Sequence, residues 1–178
     1  ANGLHRSVVS DDAEKPVGVV SQSSIVKEMQ EALKHGDLKA VGETTLEKLG
    51  LVSNSVKAVD ESDTVLHALG VLGYSTISAV CLVEADGKLS GNFSASDMRG
   101  MFKEKFPSFL KPVRDYLEEH SPNSLNAKVV TPETTLSELV ELLLSEKLHR
   151  AWVVDADMKP IGVVSMTDLM KLCRDFKL

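Results

Sequence analysis

Between residues 128 and 175 the spacing of apolar positions changes from segment to segment, and each change marks an element. The run 128–131, Lys-Val-Val-Thr, reads as a short apolar strand. Over residues 132–148 the apolar positions Leu136, Leu139, Val140 and Leu143 recur at helical spacing, with Thr131 as a cap and Pro132 preorganised for the first turn. Residues 151–155 form a continuous apolar run, 157–160 carry turn residues, and 161–164 are apolar again, which predicts a hairpin. A second helix follows over 167–175.

The same pattern occurs elsewhere in the chain. Lys15-Pro16-Val17-Gly18-Val19-Val20-Ser21 lies over Lys159-Pro160-Ile161-Gly162-Val163-Val164-Ser165, ungapped at an offset of 144 residues, with Leu4-His5-Arg6 over Leu148-His149-Arg150. A fainter copy, Gly91-Asn92-Phe93-Ser94, falls 71 residues before the last. It predicts a strand at 58–60, a helix at 65–72 and a hairpin of 79–83 with 89–93 around the turn 85–88. Each full copy is then strand, helix, strand, strand, helix, an α/β (α+β) unit with a small sheet flanked by two helices. The first copy keeps only its second half, with a helix at 24–33, so the chain divides into a half-copy at 1–35, a copy with its connector at 36–110, and another at 111–178. A half-copy leaves an apolar sheet face in water, at about 25 cal/mol per Å². Either the missing half precedes Ala1, or another chain covers the face. The polar connector 35–52 suggests a short helix at 44–49, and the connector 102–126 is interrupted by Pro107, Pro112 and Pro122. Apolar positions in both suggest docking on the core.

Of 178 residues, 43% are hydrophobic and 26% charged, a globular balance, and the formal net charge of −6 argues against a nucleic-acid surface. No apolar run approaches the roughly 20 residues that span a bilayer, and no secretion signal opens the chain, so an intracellular location is expected, cytoplasmic or also nuclear. Cys81 and Cys173 lie far apart, without a zinc-ligand spacing, and read as small buried hydrophobes; no metal is expected. Trp152 alternates with Ala151 and Val153, which points it toward a helix.

The strings Gly162-Val163-Val164-Ser165-Met166-Thr167-Asp168 and Gly91-Asn92-Phe93-Ser94-Ala95-Ser96-Asp97, both of the form G-h-h-S-x-x-D apart from polar Asn92, resemble tandem CBS repeats, which pair into Bateman modules. In detail the chain resembles the γ subunits of AMP-activated/SNF1-type protein kinases: Thr45-Leu46-Glu47-Lys48-Leu49-Gly50-Leu51 and Val65-Leu66-His67-Ala68-Leu69-Gly70-Val71 look like the third repeat of that family, and Leu148-His149-Arg150 with Val163 to Asp168 like the fourth. The resemblance implies a ligand, AMP, ADP or ATP, in a cleft between paired repeats. It also implies kinase catalytic and scaffold subunits as partners, and pairing of modules into a homodimer as a further arrangement.

On that reading Asp168 and Asp97 grip ribose hydroxyls, with Ser165, Thr167 and Ser94 beside them. A carboxylate suits the task because it offers two strong acceptor oxygens. Ser-x-x-Asp is equally a helix capping box, so the same residues have a purely structural reading. In the first copy Ser24 replaces the Asp, keeping a cap and losing the carboxylate. His149-Arg150 and His5-Arg6 are the phosphate candidates; the middle copy has Ser78-Ala79 there. Thr131 shares its column with Asp60, which would repel phosphate or cap its helix, and Val129, Ala151, Val153, Ala79 and Ile161 are candidates to flank an adenine.

No triad order, no useful Cys–His pair and no P-loop occurs, which disfavours catalysis. The leading expectation is an adenine-nucleotide-sensing regulatory module, not an enzyme. The alternatives are a non-catalytic scaffold, and a regulator of another enzyme or of a transporter that binds a different adenosyl ligand such as S-adenosylmethionine.

Overall fold

The computed structural model describes residues 6–35, 38–52, 56–100 and 103–175. Its hairpins follow from local chemistry. Strands β1 (Arg6–Ser10) and β2 (Pro16–Ser21) are joined by a turn in which Asp11 Oδ1 accepts the backbone N–H groups of Ala13 and Lys15 at 3.0 and 2.9 Å. Asp155 does the same for Asp157 and Lys159, at 3.0 and 2.9 Å, between β7 (Arg150–Val154) and β8 (Pro160–Ser165). Each turn needs one residue in the left-handed region: Glu14 at φ 61° and Met158 at φ 64° adopt it, against a preference of about 1 kcal/mol, where the middle copy uses Gly87 at φ 84°. That middle hairpin joins β4 (Ala79–Val83) to β5 (Leu89–Ser94).

Both complete copies add a parallel strand in one register. Ala58 of β3 (Ala58–Asp60) pairs with Cys81, and 71 positions later Val129 of β6 (Val129–Val130) pairs with Trp152, so the sheets run β3-β4-β5 and β6-β7-β8. Helices α3 (Val65–Ser75) and α5 (Leu136–Ser145) follow from N-caps Thr64 and Thr135. The helix expected to begin at Pro132 under a Thr131 cap therefore begins four residues later. At Thr135 a full capping box forms, in which Glu138 takes the Thr135 N–H at 2.8 Å and Thr135 Oγ1 takes the Glu138 N–H at 3.3 Å. Residues before it are held extended by the connector: Leu46 N–H donates to Thr134 O at 2.9 Å and Leu136 N–H to Thr44 O at 3.0 Å. The middle copy repeats this bracket with its own connector, through Val113 N–H to Asp63 O at 2.8 Å and Val65 N–H to Lys111 O at 3.1 Å.

Three other elements differ from expectation. The short connector helix is α2 (Leu38–Gly42), and residues 46–50 are turns anchored by fully buried Leu46. Helix α2 ends at Gly42, where a Cβ would meet Ser137 Oγ and make that hydroxyl turn aside. The second helix of the middle copy is only a 3-10 turn, Ala95–Met98, because Arg99 turns extended and Gly100 takes φ 74°. Trp152 packs with Ala79 and Cys81 on a sheet face, where partly buried Val163 joins them, instead of against a helix.

Two compact units emerge. One comprises Val52–Pro132 and Trp152–Val163; its larger core joins Val80, Leu82 and Phe93 of the sheet to Val65, Ala68 and Leu72 of α3. Val113, Tyr116 and Leu117 of α4 (Val113–His120) close it, as the connector's apolar positions predict. Tyr116 meets Phe93 edge-on at 6.4 Å between centroids.

The other unit comprises Ala1–Leu51, Glu133–Ala151 and Val164–Leu178. In it α1 (Gln22–Ala32) packs against α5 and α6 (Met166–Asp175). Its contacts with α6 are reciprocal under the 144-residue offset. Gln22 Nε2 donates to Thr167 Oγ1 at 3.2 Å, Ser23 Oγ reaches Met166 Sδ at 3.5 Å, and Met29 Sδ meets its own counterpart, Cys173 Sγ, at 3.5 Å. Position i touching j while j touches i is the signature of a two-fold axis, here an internal one. The β1–β2 hairpin in this unit is exposed along almost its whole length, as a half-copy predicts.

Candidate functional site

The S-x-x-D strings form where a strand enters a helix, and each folds into a cap. In the last copy Asp168 Oδ2 accepts the Ser165 N–H at 3.0 Å and the Ser165 hydroxyl at 2.6 Å, and Ser165 Oγ takes the Asp168 N–H at 3.4 Å. The second oxygen, Oδ1, is held by Lys171 Nζ at 2.9 Å, and that lysine side chain is 56% exposed. Burial alone would raise this carboxyl. Hydrogen bonds from the Ser165 hydroxyl, Lys171 and the Ser165 backbone outweigh it and hold the group below its ordinary value.

In the middle copy both oxygens of Asp97 are tied within the fold. Oδ2 accepts the N–H and hydroxyl of Ser94, each at 2.7 Å, and Oδ1 accepts the Ser124 hydroxyl at 2.6 Å. The Tyr116 hydroxyl adds a bond to Asp97 O at 3.0 Å. Ser24 of the first copy keeps the reciprocal cap without charge, taking the Ser21 N–H at 2.9 Å while Ser21 Oγ takes the Ser24 N–H at 3.1 Å. Capping is thus common to all three strings, and only Asp168 has an oxygen whose partner is a surface side chain.

Around Asp168 the unit gathers most of the other predicted residues. Met166 N–H donates to His149 O at 3.0 Å, which sets exposed His149 and half-buried Arg150 beside the string. Thr167 is half-buried and accepts from Gln22. Exposed Arg6 pairs across its hairpin with Ser21, in the register its repeat position dictates, and His5 lies outside the described residues. Ala151 is fully buried and has no surface to offer a ligand as it stands. Ser94, Asp97, half-buried Val129 and exposed Thr131 belong to the other compact unit. Asp60, in the column of Thr131, caps its own turn: Oδ1 takes the Ser62 N–H at 2.9 Å and its hydroxyl at 2.6 Å, which lowers the carboxyl below its ordinary value.

Sequence reasoning missed Ser124 and Tyr116 as supports of Asp97. Ser124 lies 27 residues away in a connector, and no periodic signal marks it. It also gave no role to two buried polar atoms of β5, Ser90 Oγ and Asn92 Oδ1, which have no hydrogen-bond partner among the described residues.

Comparison with known proteins adds to this geometry. The family model for the CBS domain matches residues 48–104 and 113–175. The SNF1-related protein kinase regulatory subunit gamma-like PV42a of Arabidopsis thaliana is 29% identical over 154 residues, covering 78% of this chain and 44% of its own length, so the chain spans less than half of that relative. A Methanocaldococcus jannaschii protein, described as a candidate archaeal homolog of g-AMPK, superposes with a TM-score of 0.70 at 12% identity, over 95% of this chain and 59% of its own. A CBS domain pair solved in complex with 5′-methylthioadenosine and S-adenosyl-L-methionine gives 0.60 at 16% identity, over 75% of this chain and 98% of its own.

Proposed function

Because the chain belongs to the CBS domain family, we propose that it is a regulatory module that binds an adenine nucleotide and acts as the γ-like part of a kinase complex. The observation that carries the reading is the Asp168 carboxylate. One oxygen caps α6, and the other is held by an exposed lysine that a pair of ribose hydroxyls can displace. His149 and Arg150 stand beside it as phosphate donors, and the 144-residue offset of the sequence matches them to His5 and Arg6. AMP, ADP and ATP share the groups these residues would hold. A ligand that binds one conformation better than another would shift the contacts of the module with catalytic and scaffold subunits. No chemical step is assigned to it.

Titration calorimetry and melting with AMP, ADP and ATP test the proposal. A nucleotide at 100 times its dissociation constant stabilises the fold by about 2.7 kcal/mol. Absence of both heat and stabilisation at millimolar concentration contradicts it. A tighter response to S-adenosylmethionine, the ligand of one structural neighbour, would reassign the module to another adenosyl ligand.

A scaffold reading also has an observation in its favour, since every S-x-x-D string is already satisfied as a cap and Asp97 has both oxygens engaged within the fold. On that reading the repeats build an interaction surface only, and no nucleotide binds.

A further inference from the structure

We infer that Lys171 sets the sugar specificity of the Asp168 site, narrowing its preference for a ribose over a 2′-deoxyribose; the inference rests on the nucleotide reading above. A carboxylate offers about four acceptor positions, two on each oxygen. At Asp168 the Ser165 N–H and hydroxyl take both positions on Oδ2, at 3.0 and 2.6 Å. Lys171 Nζ takes one on Oδ1, at 2.9 Å. The bonds of the described residues thus leave a single acceptor position, on Oδ1.

The two hydroxyls of a ribose need two positions, so a ribose that keeps the cap intact must break the Asp168–Lys171 pair. A 2′-deoxyribose brings one hydroxyl and needs only the position already open. Loss of the pair therefore opposes the ribose and leaves the deoxyribose untouched. The side chain of Lys171 is 56% exposed, so its ammonium passes to water when displaced, and the opposing effect is that of a surface ion pair, about two- to threefold in affinity.

The lysine is no part of the cap. In the middle copy Gly100 stands at its position, 71 residues earlier, and Asp97 still accepts the N–H and hydroxyl of Ser94, each at 2.7 Å. In the first copy Lys27 stands there, 144 residues earlier, but Ser24 has replaced the carboxylate. Of the three copies only the last sets a lysine three residues after the Asp, the spacing at which helix neighbours meet.

Calorimetry on the whole chain compares AMP with 2′-deoxy-AMP, for the native protein and for Lys171→Met, which keeps an unbranched apolar stem without the charge. The Ser165 bonds to Asp168 remain in the variant, so its fold is retained. Lys171→Met should bind AMP about two- to threefold more tightly and 2′-deoxy-AMP as the native chain does, which widens the ratio of the two affinities by that factor. The gain should shrink as salt is raised from about 0.01 to 1 M, because screening already weakens an exposed pair. Weaker AMP binding by the variant would mean that the lysine contacts the ligand, and it overturns the inference. So does an equal change for both nucleotides, no change in either, or a native chain that binds AMP and excludes 2′-deoxy-AMP. Each of these leaves nucleotide binding intact, whereas failure of the native chain to bind AMP overturns both readings.

Discussion

The first and last hairpins share a sequence, a turn and a hydrogen-bond pattern, yet one stands in water and the other is core. Val8 and Val9 are 64% and 41% exposed, whereas Trp152 and Val153, 144 positions later, are 3% and 0% exposed. Their Asp-headed turns match to within 0.1 Å in the hydrogen bonds at Oδ1. Local chemistry is therefore enough to shape the hairpin. What the last copy adds is the parallel strand β6, and the first has no such strand among the described residues.

Energetics should separate the two hairpins most widely. Val153→Ala removes two buried methyl groups and should cost about 2 kcal/mol in urea unfolding. Val9→Ala, at the matching exposed position, should stay within about 0.5 kcal/mol. Equal losses would mean that the first hairpin is covered in solution.

A smaller effect distinguishes the caps, one charged and one neutral. Asp168 titrates near pH 3.9 in the unfolded chain and lower in the fold. Its contribution is therefore complete above about pH 4 and is lost as the pH falls through the folded value. Ser24 titrates nowhere in this range, so Asp168→Ser should flatten the acid limb of the melting profile below about pH 4. An acid limb identical to that of the native chain would show that the Lys171 and Ser165 contacts do not stabilise the charged form.

Much of this architecture was legible in the sequence. Fixed offsets gave the copies, and periodicity placed β3, α3, β4 and β5 to within a few residues, because their apolar faces are continuous. Legibility failed where distant segments decide. Thr131 looked like a cap, but the connector at residues 44–46 holds the chain extended as far as Thr135. Trp152 alternates in a way that fits either a helix or a second sheet, and only the pairing of Cys81 and Trp152 in one cluster selects the sheet. At the site, the string itself announced both a cap and a ribose grip. The asymmetry between Asp97 and Asp168 depends on Ser124 and Lys171, one of them remote and neither part of the motif.

The most direct measurement uses the first copy as a template for the last. Asp168→Ser retains the reciprocal cap that Ser21 and Ser24 already form and removes only the carboxylate. Calorimetry with AMP on this variant should show affinity reduced about tenfold or more, while the neutral-pH melting temperature falls only by the small contribution of the charged form of the cap. Unchanged AMP affinity in the folded variant would contradict the account, because the carboxylate would then serve its helix alone.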